Sequence, residues 1–115
     1  MTIQWFPGHM AKALRLVSER LKYVDIVLEL RDARIPYASS NPKVDEIIQN
    51  KPRLIILNKA NMADRRKTEE WMEYYKEQNI ESLPVDCITG FNVDKIISKS
   101  KEVLHEVLEK EKAFL

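Results

Sequence analysis

Polar side chains with binding potential follow a short apolar run in the middle of the chain. Leu54–Leu57 is uninterrupted and apolar, and Asn58, Lys59 and Asn61 come directly behind it. Such a run is typical of a strand that is buried on both faces of a parallel sheet. Parallel sheets bind ligands beyond the carboxyl ends of their strands, so these side chains would line that edge. The alternative is an ordinary loop between a strand and a helix, which position alone favours.

Two further polar segments follow weaker strand patterns. Tyr23–Arg31 predicts a second buried strand, which ends in Asp32–Pro36. Ser82–Val85 predicts a third strand, which ends in Asp86–Gly90. Pro84 indicates that this third strand lies at a sheet edge, because proline lacks the N–H that a central strand needs. If the strands are parallel, all three polar segments lie at one edge of the sheet.

A histidine and a basic helix face are separate from these strand ends. His9 follows the Pro7-Gly8 pair, which marks a turn, and is a helix cap, a buried hydrogen-bonding group or a functional group. The helix predicted from Met10 onward carries cationic side chains opposite its apolar stripe, namely Lys12, Arg15, Arg20 and Lys22. They form either a phosphate-contacting face or a solvated one. Glu19 interrupts the run and favours the solvated alternative.

The elements that position these residues alternate as a helix followed by three strand-helix pairs. After the first helix, the pattern predicts a short helix behind Pro42, a helix capped by Asp64 that continues to Glu77, and a long amphipathic helix capped by Asn92. Alternating strands and helices form parallel sheets with right-handed crossovers. The predicted fold is therefore α/β, with a three-layer, three-stranded parallel sheet and an extra N-terminal helix.

Composition limits the class of protein. The 115 residues predict a single domain over 1–115, and the net charge of +1 means that any nucleic-acid contact must be local. Cys87 is the only cysteine, which excludes an intrachain disulfide and predicts a reducing, cytoplasmic location. No apolar run is long enough to span a bilayer, so no membrane partner is expected.

Five segments together resemble the N-terminal portion of one protein family, the circularly permuted ribosome-assembly GTPases of the YlqF type. They are WFPGHMAKA at 5–13, ELRDARIP at 29–36, NPKVDEII at 41–48, KPRLIILNKA at 51–60 and the Cys87–Gly90 turn. In that family the base-recognition motifs precede the phosphate-binding loop. The resemblance implies half of a P-loop GTPase fold, circularly permuted, that carries the NKxD or base-recognition part. It also implies GTP-dependent assembly of the large (50S) ribosomal subunit.

The resemblance assigns roles to individual residues. The implied nucleotide-binding residues are Asn58, Lys59, Asn61, Cys87, Ile88 and Thr89. Asn58 would contact the guanine base and tie neighbouring loops together, and the aliphatic stem of Lys59 would lie against the base plane. The backbone N–H of Ile88 would donate to the guanine carbonyl. His9 corresponds to a histidine near the γ-phosphate, which implies that it positions the attacking water.

Two departures from the family pattern limit these roles. Asn61 replaces the aspartate of NKxD, whose carboxylate accepts from both N–H groups of guanine. A mismatched polar contact costs about 1–3 kcal/mol, so guanine recognition should weaken and drift toward xanthine. Gly8 and Gly90 are the only glycines, and they cannot form a phosphate-binding loop. The chain alone should therefore bind GTP or GDP weakly or not at all, contain no Mg²⁺ site and not hydrolyse GTP.

Two classes of function follow from these observations. The first is the base-recognition part of an assembly factor whose partners are the large ribosomal subunit precursor, its RNA and guanine nucleotide. The second is a non-catalytic module that docks on ribosomal RNA through the basic helix face and the arm at 1–9, without nucleotide. A folded remnant with neither activity is a third, less informative alternative.

The first strand of the predicted sheet should have a bare edge, because its partner strand in the family lies in the other half of the domain. A bare edge of this kind invites pairing with another chain. This predicts a homodimer, a swapped arm, or an N-terminal helix that covers the edge.

Overall fold

The structure is a computed structural model that describes residues 7–36, 42–48 and 51–113. Trp5 and Phe6 of the predicted arm lie outside these residues. The helices and strands are, in chain order, α1 (Pro7–Arg20), β1 (Val27–Asp32), α2 (Pro42–Ile48), β2 (Arg53–Asn58), α3 (Arg65–Glu77), β3 (Glu81–Pro84) and α4 (Lys95–Ala113). Two short 3-10 turns, at Leu21–Tyr23 and Ala60–Met62, precede β1 and α3.

The three strands form one parallel sheet in the order β1-β2-β3. Leu30 pairs with Ile56, and Ile56 pairs with Leu83, so β2 has a parallel neighbour on each side. Leu54 and Leu57 of β2 are fully buried. The predicted three-stranded parallel sheet is confirmed, with the apolar run LIIL as its central strand.

Helices cover both faces of this sheet. On one face Ile55 and Leu57 pack with Tyr75 of α3. On the other face Leu54 and Ile56 pack against Ile96 of α4. Because side chains alternate along a strand, the apolar run supplies two residues to each face. The predicted three layers are therefore present, and α1 packs against α2 as the extra N-terminal helix.

β1 differs from its prediction in both bounds and burial. The sequence predicts a strand from Tyr23, but this residue ends a 3-10 turn and the strand begins at Val27. The prediction that both faces are buried is wrong, because α4 packs on β2 and β3. Leu28 and Leu30 are consequently 45% and 60% exposed. β1 therefore has one covered face and one apolar face that is open to solvent.

Two helix starts also differ from the prediction. Pro7 and Gly8 form the first turn of α1 rather than a separate turn, since proline suits a position where no helical N–H bond is lost. The last helix begins at Lys95 and not next to Asn92, whose φ of 58° lies in the left-handed region. The Asn92 Nδ2 donates instead to the Pro84 carbonyl oxygen over 3.0 Å. This bond occupies a carbonyl at the outer edge of β3, which discourages further strand pairing there.

A group of charged side chains, here called the arginine cluster, joins β1, β2 and α2. Arg31 Nε donates to Glu29 Oε1 over 3.1 Å, and its Nη1 donates to the Tyr75 hydroxyl oxygen over 3.0 Å. Arg53 Nη2 donates both to the Glu29 carboxylate and to Asp45 Oδ1. The side chains of Arg31 and Glu29 are only 6% and 13% exposed. One nearly buried carboxylate is thus shared by two guanidinium groups.

The electrostatic balance within the arginine cluster favours the charged form of Arg31. Burial on its own lowers the pKa of Arg31, but the Glu29 carboxylate and the Tyr75 hydrogen bond outweigh it, so the pKa is raised. Burial also raises the pKa of the Tyr75 hydroxyl, which keeps that hydroxyl protonated. The cluster therefore adds charged contacts to Asp45 of α2, and a hydrogen bond to the Tyr75 hydroxyl of α3, to the apolar packing on this side of the sheet.

Candidate functional site

The loops that follow β2 and β3 lie side by side and are joined by hydrogen bonds. Asn58 Oδ1 accepts from the backbone N–H of Cys87 over 3.1 Å. Asn61 Nδ2 donates to Thr89 Oγ1 over a longer 3.4 Å. The backbone N–H of Ala60 donates to the Val85 carbonyl over 3.0 Å. The polar segments 58–61 and 86–90 therefore form one edge, as the parallel strand pattern predicts.

Backbone geometry shapes the first of these loops. Lys59 has φ 62° and ψ 33°, a left-handed conformation that is uncommon for a residue with a side chain. It reverses the chain between β2 and the 3-10 turn. Asp64 then caps α3, since its Oδ1 accepts from the backbone N–H groups of Arg66 and Lys67 over 2.9 and 3.2 Å. The predicted capping role of Asp64 is confirmed.

Asp86, which was not among the residues predicted for the site, organises the second loop. It is buried, and its Oδ1 accepts from the backbone N–H groups of Ile88 and Thr89 over 2.9 and 3.2 Å. Gly90 has φ 84°, which glycine adopts without strain, and closes the turn. An aspartate that begins a turn by bonding the N–H two residues later is a known local pattern, and it could have been recognised.

This Asp86 contact bears on the expected role of Ile88. The backbone N–H that the resemblance assigns to a guanine carbonyl already donates to Asp86 Oδ1. A base carbonyl would have to share this N–H or displace the carboxylate. The side chain of Ile88 is 91% exposed and presents an apolar surface to solvent beside the second loop. The base-contacting role of Ile88 stays a prediction.

A third strand end contributes Asp32, which was not among the residues predicted for the site. Asp32 pairs with Asn58 in the sheet register, and the next backbone N–H, that of Ala33, donates to the Asn58 carbonyl over 2.7 Å. Arg34 donates to the Asp32 carboxylate from its backbone N–H, its Nε and its Nη2 over 2.7–3.0 Å. Lys59 Nζ lies 3.7 Å from Asp32 Oδ2. The carboxyl ends of all three strands thus meet at one edge.

The Arg34 hydrogen bonds lower the pKa of Asp32 to about 2, and Lys59 adds a smaller effect in the same direction. A carboxyl with a lowered folded-state pKa stabilises the fold above its unfolded pKa of about 4, and this stabilisation is lost as the pH falls toward 2.

We expect Arg34→Gln to raise the Asp32 pKa toward about 4. Carboxyl-carbon NMR titration measures this directly. Asp94 provides the control carboxyl, and an unchanged Asp32 pKa in the variant would contradict the assigned contact.

His9 and the cationic side chains lie on α1 and the turn that follows it. His9 is exposed in the first turn of α1. Lys12, Arg15, Arg20 and Lys22 are also exposed. α1 packs against α2 and the 3-10 turn before β1. The catalytic role of His9 and the RNA-contacting role of the basic face stay predictions.

The edge offers hydrogen-bonding groups for a flat polar ligand. Asn61, Cys87 and Thr89 are exposed, and the Lys59 side chain is 44% exposed. A cavity of about 620 Å³ adjoins Asn61 and is lined by Met72 of α3 and Phe91. Of the six predicted nucleotide-binding residues only Asn61 lines this cavity, so it lies beside the edge and is not the predicted base site. The described segments bring no three His, Cys, Asp or Glu side chains together as a potential metal site.

Comparison with known proteins identifies the relatives of this chain. Ribosome biogenesis GTPase A of Priestia megaterium is 57% identical over 113 residues, which is 98% of this chain and 39% of the relative. The chain is a homologue of one part of ribosome biogenesis GTPase A. Mitochondrial ribosome-associated GTPase 1 of Mus musculus is 37% identical over 102 residues, covering 88% of this chain and 31% of the relative.

Solved structures agree with these relatives. The GNP-bound structure of YlqF from T. maritima is similar with a TM-score of 0.58 and 37% identity, over 65% of this chain and 31% of that chain. No protein-family model matches. The coverages of 31–39% mean that the chain spans well under half of the length of these relatives. Among residues 7–36, 42–48 and 51–113, every helix is too short or too polar to pass through a bilayer.

Proposed function

We propose that the chain carries the base-recognition half of the guanine-nucleotide site of a circularly permuted, ribosome-assembly GTPase. The observation that carries this proposal is the hydrogen bond from the Cys87 N–H to Asn58 Oδ1, over 3.1 Å. It joins the two loops whose residues the YlqF resemblance assigns to the base. The similarity to part of ribosome biogenesis GTPase A supports the same assignment.

The residues divide the recognition of the base among them. Asn58 keeps its Nδ2 available for the base while its Oδ1 holds the second loop. The stem of Lys59 supplies one wall, since its methylene groups can lie flat against a ring. Asn61 uses its Nδ2 on Thr89, so its Oδ1 is the acceptor directed at the ring N–H. Guanine has two adjacent N–H groups there, and this amide satisfies one.

Phosphate binding and hydrolysis belong to the longer protein in this proposal. The sequence contains no pair of glycines followed by Lys and Ser or Thr at P-loop spacing. The two carboxylates at the ends of β1 and β3 do not suit Mg²⁺ either, because Asp32 is bound by Arg34 and Asp86 by backbone N–H groups. GTP or GDP binding by the chain is therefore weak, and water positioning by His9 operates only beside a complete phosphate site.

Titration of GDP, GTP and XDP against isotopically labelled chain, followed by amide NMR, tests this function. We expect the resonances of Asn58, Cys87 and Thr89 to shift, and Asn58→Ala to weaken binding by about tenfold. Gln78→Ala is the matched control, because this exposed amide lies at the end of α3. Absence of nucleotide-dependent shifts at the two loops would contradict the proposal.

A second function is favoured by the basic face of α1 and the following turn. The cationic side chains of this face are those of Lys12, Arg15, Arg20 and Lys22. All four are exposed, and none forms an ion pair within the described part of the chain. Exposed cationic side chains suit RNA phosphates, and such binding weakens steeply with salt. An RNA affinity that falls with salt concentration and does not change when nucleotide is added would favour a docking module over the base-recognition function.

The names of the relatives support ribosome-related partners in general. The names of the bacterial and mitochondrial relatives refer to ribosome biogenesis and to ribosome association. We infer the large ribosomal subunit precursor and its RNA as the partners, in the reducing cytoplasm that the single Cys87 suggests. Co-sedimentation with 50S precursors, and not with 30S precursors, is the expected result.

A homodimer through β1 is the expected oligomeric state of the isolated chain. β1 pairs only with β2 among the described strands, and the apolar side chains of Leu28 and Leu30 are exposed on one face of this strand. Exposed edges with apolar faces pair readily. We expect Leu30→Lys to shift the mass measured by light scattering from dimer to monomer. Leu108→Lys is the control, because Leu108 is 53% exposed on α4, and this substitution should leave the measured mass unchanged. A wild-type monomer would contradict this prediction.

A further inference from the structure

The Asp32 carboxylate is held in a fixed place by Arg34 and the sheet. Three N–H groups of Arg34, one on the backbone and two on the guanidinium, donate to it over 2.7–3.0 Å. The backbone bond between Ala33 and Asn58 fixes the end of β1 against the end of β2. The position of the carboxylate relative to the Asn58–Asn61 loop is therefore set by two independent contacts.

Lys59 approaches this carboxylate from the neighbouring strand. Its left-handed backbone, with φ 62°, makes the turn out of β2 that brings its side chain toward the end of β1. Its Nζ then lies 3.7 Å from Asp32 Oδ2. A strained backbone conformation at a loop of this kind is often retained because it aims a side chain at a ligand. The geometry joins two residues 27 positions apart at the rim of the site.

We propose that Asp32 is a positioning residue for Lys59, and that Arg34 holds Asp32 in place. The carboxylate anchors the ammonium group, so the methylene stem stays extended across the edge as a preformed wall for the base. This inference rests on the proposed nucleotide function. Without the anchor, the flexible side chain must lose rotamer freedom when the ligand binds, which weakens affinity.

A double-mutant cycle with Asp32→Asn and Lys59→Met tests the proposal. Methionine keeps an unbranched stem but cannot bond to a carboxylate. We expect Asp32→Asn to weaken GDP binding about two- to fivefold when Lys59 is present, the range of a partly exposed ion pair. In the Lys59→Met background the same change should have no effect. Equal losses in both backgrounds would overturn the proposal, because Asp32 would then act independently of Lys59.

A readout without nucleotide separates this inference from the proposed function. In the wild-type chain the two ε-methylene protons of Lys59 should have distinct NMR signals, because the ammonium group is anchored. They should merge in Asp32→Asn and remain distinct in Asp25→Asn, where an exposed aspartate before β1 is changed. Merged signals in the wild type would overturn the positioning role. If the wild type shows distinct signals but binds no GDP, the proposed nucleotide function fails and the anchoring of Lys59 stands.

Discussion

Glu29→Gln is expected to lower the free energy of unfolding by about 3 kcal/mol, because it removes the carboxylate shared by two nearly buried guanidinium groups. Arg31 and Arg53 are 6% and 11% exposed. Breaking a buried ion pair on one side costs about 3–5 kcal/mol, since the remaining charge is left uncompensated. The lower end of this range applies because Asp45 still contacts both arginines. For a domain of ordinary stability, about 5–15 kcal/mol, this is a large fraction of the total.

Urea unfolding followed by circular dichroism measures this change. Glu19→Gln is the matched control, because Glu19 is exposed on α1 and the substitution should change stability by less than about 0.5 kcal/mol. The buried Nε of Arg53 has no hydrogen-bond partner within the described residues of the wild-type chain either, so its cost is common to both proteins and does not enter the difference. If both glutamine variants unfold at the wild-type urea concentration, the arginine cluster does not contribute as described.

Asn61→Asp is expected to tighten guanine-nucleotide binding by about tenfold to a hundredfold. Asn61 now donates to Thr89 Oγ1 and has one acceptor oxygen left. An aspartate could accept from the Thr89 hydroxyl and from guanine with the same carboxylate, so both N–H groups of the base would have an acceptor. Preference for guanine over xanthine should rise in parallel, because xanthine presents a carbonyl where guanine has its exocyclic amine.

Competition between GDP and XDP on the variant and the wild type measures both effects. Asn79→Asp is the matched control, since Asn79 is exposed beyond the end of α3 and has a left-handed φ of 63°, which aspartate tolerates. It should leave both affinities unchanged. An Asn61→Asp variant that keeps the wild-type ratio of GDP to XDP affinity would show that this side chain does not read the base.

Much of the fold and of the site could be predicted because the relevant signals are local. The apolar run at Leu54–Leu57 is long enough for one strand and too short for a membrane span, and the following Asn58 and Lys59 mark where it ends. Parallel strands bring their carboxyl ends to one edge, so the approach of segments 58–61 and 86–90 follows from the strand-helix alternation. The hydrogen bond between Asn58 and Cys87 confirms that inference.

The features that the sequence did not predict correctly are those that depend on a neighbouring helix or loop. β1 has an apolar pattern suited to burial on two faces, yet Leu30 is 60% exposed because α4 lies over the other strands. Asn92 has the residue type of a helix cap but donates to Pro84 across the loop instead. Asp86 was overlooked, although its position at the start of a turn is a local signal.

The sequence by itself determined the central strand at Leu54–Leu57, the helix that Asp64 caps and the alternation of strands and helices, since each depends on residues close together in the chain. Only the tertiary structure decided that Glu29 is shared by Arg31 and Arg53, and that Lys59 Nζ lies 3.7 Å from Asp32. The contacts of Arg53 with Glu29 and of Lys59 with Asp32 join different strands, and their geometry depends on the sheet register. No pattern of neighbouring residues encodes that geometry, because it exists only once the strands have paired.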